Sequence, residues 1–142
     1  MAFKVLIVDD SLPMRAVIKK VVKISGFNVG EFFEASSGNE ALDILKDQWL
    51  DLVLSDYNMP DMDGLELLGR IKKDELLQSI PVIMISTERG GERVKEFLEK
   101  GAADYISEPF TPEEIREKLY RVLGEVEHGE GSPDNGDEGL DF

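Results

Sequence analysis

Residues 51–60 read DLVLSDYNMP, and the fold turns on how this stretch is understood. Leu52, Val53 and Leu54 form an unbroken apolar run, as in a strand buried on both faces of a parallel sheet. Asp56 falls where such a strand surfaces. In open α/β sheets that edge, beyond the carboxyl ends of the strands, is where small ligands bind. The plainer reading is a turn, since Asp, Asn and Pro are ordinary turn formers. A second acidic strand end weighs against it: KVLIVDD at 4–10 carries a buried-strand run from Val5 to Val8 and closes on Asp9 and Asp10.

The chain has 142 residues, which suits one domain with a core of its own. No apolar run approaches the roughly 20 residues of a membrane span. The start MAFKVLIVDD is broken by two acids and does not read as a secretory signal. With no cysteine there is no disulfide framework, and a cytoplasmic location is the default expectation. A net charge of -14 argues against nucleic-acid binding, which needs clustered Lys and Arg. The acids Glu130, Asp134, Asp137, Glu138 and Asp141 lie in a tail, 128–142, that has no Lys or Arg. The tail holds four glycines and a proline, with only Leu140 and Phe142 apolar. Disorder is expected there, His128 being solvated, with docking of 139–142 on the chain's own domain or a neighbour's as the alternative. The chain thus divides into a domain, 1–127, and a tail, 128–142.

Strand and helix patterns alternate along the domain, which implies βαβ units and a parallel sheet. Ser11 can cap a helix striped by Met14, Ile18, Val21 and Val22 and ended by Gly26. EFFEA at 31–35 reads as a second strand, followed by the capping-box spacing of Ser37 and Glu40 and by core-facing Leu42 and Leu45. Asp63, with Glu66 three residues later, can start a third helix carrying Leu65, Leu68 and Ile71. PVIMIS at 81–86 is the fourth strand. Gly90 and Gly91 should loosen the start of the fourth helix, whose inward face is Val94, Phe97 and Leu98 before Gly101 closes it. ADYIS at 103–107 is the fifth strand. Thr111, Pro112 and Glu114 open the last helix, striped by Ile115, Leu119, Val122, Leu123 and Val126.

Five strands alternating with five helices make the doubly wound order 2-1-3-4-5 the economical arrangement. Strands 1 and 3 are then neighbours, and Asp9, Asp10 and Asp56 meet in one shallow pocket. Three acids so placed do not all stay ionised without a cation. Oxygen-only ligands with room for water suit Mg²⁺, and no Cys or His stands near for zinc.

The motifs together resemble the receiver domains of two-component response regulators, most closely their stand-alone chemotaxis type. The matching pieces are Asp9-Asp10, SDYNMPDMDGLELL from Ser55 to Leu68, PVIMIST at 81–87, and Tyr105 with Pro109-Phe110, within residues 4–124. Asp56 and Ser86 stand 30 positions apart, and Ser86 and Glu108 stand 22 apart, as in that family. The flavodoxin-like order 2-1-3-4-5 is also this family's, so order and resemblance are one inference. The resemblance implies that Asp56 is the phosphoacceptor for a histidine kinase. It implies that Asp9 and Asp10 hold Mg²⁺ with Asp56 and the Asn58 carbonyl, that the Ser86 hydroxyl meets the phosphoryl group, and that Tyr105 changes rotamer in response. Output to a downstream target protein is expected through helix 4, strand 5 and helix 5, from a monomer or weak dimer with no output domain after the fifth helix. One position departs: the family's lysine before the Pro-Phe pair is Glu108, with Arg89 the nearest cation in the matched loops. A pseudo-receiver, acting as a phosphorylation-independent binding module, is the alternative that this departure raises. An aspartyl-phosphate phosphatase is disfavoured because no acid lies two positions after the nucleophile, and a flavin site because the loop after strand 1 is acidic.

Overall fold

The computed structural model of the chain describes residues 2–87 and 91–124. Its five strands are β1 (Phe3–Val8), β2 (Val29–Ala35), β3 (Leu52–Asp56), β4 (Val82–Ser86) and β5 (Asp104–Ser107). They pair in parallel in the order β2-β1-β3-β4-β5, as the alternating pattern predicts. Between and after them run α1 (Leu12–Ser25), α2 (Gly38–Asp47), α3 (Gly64–Lys73), α4 (Gly91–Glu99) and α5 (Pro112–Leu119), the last continuing into a π-helical turn over Tyr120–Gly124.

Because side chains alternate along a strand, each strand feeds two cores. Val5, Ile7, Leu52, Leu54, Ile83, Ile85 and Ile106 pack against α1 and α5 through Ile18, Val22, Ile115 and Leu119. Leu6, Val8, Val53, Val82 and Met84 face the other layer, where Ala41, Leu45, Leu67, Leu68, Ile71 and Phe97 come from α2, α3 and α4. Sealing the sheet on both faces is what permits the unbroken apolar runs, each buried Leu or Ile contributing about 1.5–3 kcal/mol.

The helix starts follow the expected chemistry, with local differences. The side chains of Ser11, Ser37, Asp63 and Thr111 each accept a backbone N–H at their helix start. Only Thr111 and Glu114 close the reciprocal box. The Glu40 carboxylate instead takes the backbone N–H and hydroxyl of Ser36, and the Glu66 carboxylate takes Arg70. Gly26 ends α1 in the left-handed conformation, at φ 84°. Leu98 corrects the expected inward face of α4. It is 47% exposed, and Phe97 is the buried residue of that nine-residue helix, whose covered face stops short of Leu98. In α3 the buried set includes Leu67, while Leu65 is only partly covered. The expected loose start of α4 involves Gly90, and Val126 belongs to the last helix's stripe; both lie outside the described residues.

Candidate functional site

Strand register brings the acids together. Val8 of β1 pairs with Ser55 of β3, so the next residues, Asp9 and Asp56, leave the sheet side by side. Asp9 is 3% exposed, its Oδ1 accepts the Ser11 N–H at 2.8 Å, and its own N–H donates to the Ala35 carbonyl at 3.0 Å. Asp10 is exposed. One carboxylate oxygen from each of Asp9, Asp10 and Asp56 falls within 4.8 Å of the others.

The loop after β3 is held closely. Tyr57 donates its N–H to the Ile85 carbonyl at 3.0 Å, and Gly64, which opens α3, donates to the Tyr57 carbonyl at 2.8 Å. A Cβ on Gly64 would meet the Asp56 carbonyl oxygen at 2.5 Å and Met84 Cε at 2.6 Å, so glycine is required for this approach. Met59 and Met62 are buried beneath the loop and anchor it to the core. Asn58 reaches the site through its backbone N–H, which the Asp56 carboxylate accepts.

The remaining predicted residues border the same edge. Ser86 ends β4, is 1% exposed, and pairs with Ser107 of β5. Glu108 follows β5 and donates its N–H to the Ser86 carbonyl at 2.9 Å. Tyr105 is half-buried on the α2–α4 side of the sheet, under the Lys118 ammonium at 4.8 Å from its ring. Lys118 itself is engaged by Asp104 at 3.0 Å. Arg89 lies outside the described residues.

Electrostatics bind these positions into one unit. Burial raises the Asp56 carboxyl, the neighbouring charges of Asp9, Glu108 and Asp10 raise it further, and its pKa reaches about 7 despite the Asn58 hydrogen bond. Burial also lifts Asp9, with Asp10 adding repulsion, and lifts Glu108, with Asp9 adding repulsion. The Glu108 charge is thus felt by Asp9 and Asp56, although its carboxylate is not one of the three that cluster. Three all-oxygen donors within 4.8 Å of one another, with Asp9 and Asp56 lifted by burial and by neighbouring charge, form a set that a hard divalent cation such as Mg²⁺ fits.

Sequence patterning did not single out Arg15, whose guanidinium donates to the Asp9 carbonyl at 2.6 Å and to Glu34 at 2.9 Å. Its only signal is an arginine in the first turn of a helix that directly follows the two acids. Gly64 was visible only as part of the quoted DMDG run, and its steric role needed the fold.

The chain matches the response regulator receiver domain family over residues 5–120. A chemotaxis protein CheY homolog of Campylobacter jejuni is 40% identical over 130 residues, which are 91% of this chain and 98% of that protein. The chemotaxis protein CheY-3 of Vibrio cholerae is 41% identical over 120 residues, 84% of this chain and 91% of that one. Among solved structures, CheY4 of V. cholerae superposes with a TM-score of 0.77 at 32% identity, covering 87% of this chain and 100% of its own. The signal receiver domain of a histidine kinase from Syntrophus aciditrophicus does so with a TM-score of 0.78 at 30% identity, covering 94% and 98%. With the family matched across most of its length and these relatives so similar along nearly their whole chains, the protein belongs to the response regulator receiver domain family.

Proposed function

We propose that the protein is a single-domain response regulator of a two-component phosphorelay, with residues 1–127 as the receiver and 128–142 as an acidic tail. In this reading Asp56 accepts a phosphoryl group from a histidine kinase, and the protein signals to a target protein through the face formed by α4, β5 and α5. It acts as a cytoplasmic signalling module rather than as a classical enzyme, and chemotaxis is the pathway suggested by the names of its relatives. Among the described residues no helix is long and apolar enough to cross a membrane.

One observation carries the reading: Asp9, Asp10 and Asp56 converge at the carboxyl ends of adjacent strands, beside the buried Ser86 hydroxyl. An oxygen of the Asp56 carboxylate attacks the phosphorus, the bond to the donor's imidazole nitrogen breaks, and that nitrogen keeps the electron pair. Only ionised Asp56 can attack, and with a pKa of about 7 it is substantially protonated at neutral pH in the metal-free pocket. Asp9, Asp10, Asp56 and the Asn58 carbonyl are the groups that would hold Mg²⁺. When bound there, Mg²⁺ supplies positive charge that favours the ionised carboxylate and neutralises the phosphoryl oxygens. The remaining work belongs to the chain. The Asn58 N–H orients Asp56, the Gly64 contact holds the loop, Ser86 offers a hydroxyl to a phosphoryl oxygen, and Tyr105 relays its movement toward β5 and α4. The pseudo-receiver alternative that Glu108 raises gains no support from the family match or from the relatives named as chemotaxis proteins.

Beryllofluoride, a phosphoryl mimic, tests the reading when added with Mg²⁺ to the full chain under amide detection. Shifts at Asp56, Asn58 and Ser86 that extend to Tyr105 and α4 are expected. A response confined to surface acids far from β3 would contradict it.

A further inference from the structure

The β1–α1 loop, which carries Asp9 and Asp10, is tied to the neighbouring strand β2 by a chain of short polar contacts. Arg15 stands in the opening turns of α1, and its side chain is only 12% exposed. One guanidinium nitrogen, Nη1, donates to the main-chain carbonyl of Asp9 at 2.6 Å. Its Nε donates to Glu34 Oε1 at 2.9 Å, and the other Glu34 oxygen takes Lys19 Nζ at 2.6 Å. The same aspartate is held to β2 a second time, by its N–H to the Ala35 carbonyl at 3.0 Å. Both ends of the Asp9 backbone are thereby referenced to β2, while its Oδ1 is oriented by the Ser11 N–H at 2.8 Å.

We infer that Arg15, held by Glu34, is a positioning residue for the divalent-cation pocket: its fork fixes the Asp9 carbonyl and so sets the direction in which Asp9 and Asp10 present their carboxylates. The inference rests on the reading of those acids as metal ligands. Partners that orient a metal ligand matter to the site, and their loss typically costs 10- to 100-fold in affinity.

Arginine next to a cation pocket acts in two opposing ways, which makes its role separable. Its charge repels a divalent cation, so removing the charge alone tightens binding. Its hydrogen bonds preorganise the loop, so losing them weakens binding. Lysine keeps the charge but presents a point donor instead of a planar fork, and it cannot serve the Asp9 carbonyl and Glu34 in the same geometry. Methionine keeps an apolar stem and loses both charge and donors.

The test is a MgCl₂ titration of the full chain with no phosphoryl donor, followed by the amide shifts of Asp10, Ser11 and Asn58, with thermal midpoints measured alongside. Arg15→Lys and Arg15→Met are both expected to weaken Mg²⁺ binding, on the order of 10-fold. Glu34→Gln should weaken it in the same direction, and should add little once Arg15 is lysine, because the two act through one contact. Tighter binding in Arg15→Met with no change in Arg15→Lys would overturn the inference in favour of a charge effect. Unchanged affinity with a lowered thermal midpoint would overturn it in favour of packing. A wild type whose site amides do not respond to Mg²⁺ would overturn the reading of the pocket, and the inference with it.

Discussion

Glu108→Lys reverses the charge at the position where the family resemblance puts a lysine, and the charges around Asp56 set the sign of the expected consequences. Glu108 is among the groups that push Asp56 up to about 7, and it is itself raised by burial and by Asp9. The substitution changes the local charge by two units. One pair of unit charges at 4 Å is worth about 4 kcal/mol at an effective dielectric near 20. Glu108 is half-buried in a loop, so solvent reduces this, and a net effect of roughly 1–2 kcal/mol is the expected scale. That corresponds to Mg²⁺ binding weakened about five- to thirtyfold. The phosphorylated state moves the other way, because an ammonium beside Ser86 can clamp a phosphoryl oxygen that a carboxylate repels. A two-state domain needs about 5.5 kcal/mol to swing from mostly off to mostly on, so wild type should switch incompletely. Mg²⁺ titration reads the first effect, and beryllofluoride-induced amide shifts around Ser86 and Tyr105 read the second. If wild type already switches fully, and Glu108→Lys alters neither Mg²⁺ affinity nor those shifts, the electrostatic coupling of Glu108 to Asp9 and Asp56 is refuted.

The metal-free Asp56 should titrate near 7 by carboxyl carbon resonance, and move down on adding Mg²⁺. Its folded pKa lies above the usual carboxylate value of 3.8, so its contribution to stability is full below about pH 3.8 and is lost as pH rises through 7. Asp56→Asn should accordingly stabilise the metal-free protein at pH 7.5 by about 1–2 kcal/mol in urea unfolding; no change there would count against the charge cluster. Gly64→Ala forces a Cβ onto the Asp56 carbonyl and Met84, and should cost roughly 1–3 kcal/mol of stability while slowing phosphorylation. Wild-type urea midpoint and phosphorylation rate would contradict that. Ser86→Ala should leave Asp56 able to accept a phosphoryl group but abolish the beryllofluoride response at Tyr105, and an undiminished response would remove Ser86 from the relay.

The parallel sheet was legible because Val5 to Val8, Leu52 to Leu54 and Val82 to Ile85 are runs that suit a two-sided core, while its order was legible only together with the family resemblance. The convergence of Asp9 with Asp56 followed from that order, since adjacent parallel strands end together. Contacts decided by tertiary geometry were not legible. Arg15 meets Glu34 across 19 positions of sequence, a pairing no local pattern encodes. Glu40 could equally have returned its carboxylate to Ser37, the partner its spacing suggested, but Ser36 offers both an N–H and a hydroxyl. Leu98 satisfied helical periodicity and is nonetheless exposed, because periodicity names a face without saying how much of a short helix the sheet covers.

The central claim is that Asp56 is the phosphoacceptor in a divalent-cation pocket. Its most direct test is intact-mass measurement of the full chain after exposure to acetyl phosphate and Mg²⁺, with Asp56→Ala and an EDTA control beside it. A single phosphoryl adduct on the wild type that vanishes in both controls is the predicted result. An adduct of equal yield in Asp56→Ala, or full modification in EDTA, would contradict the account.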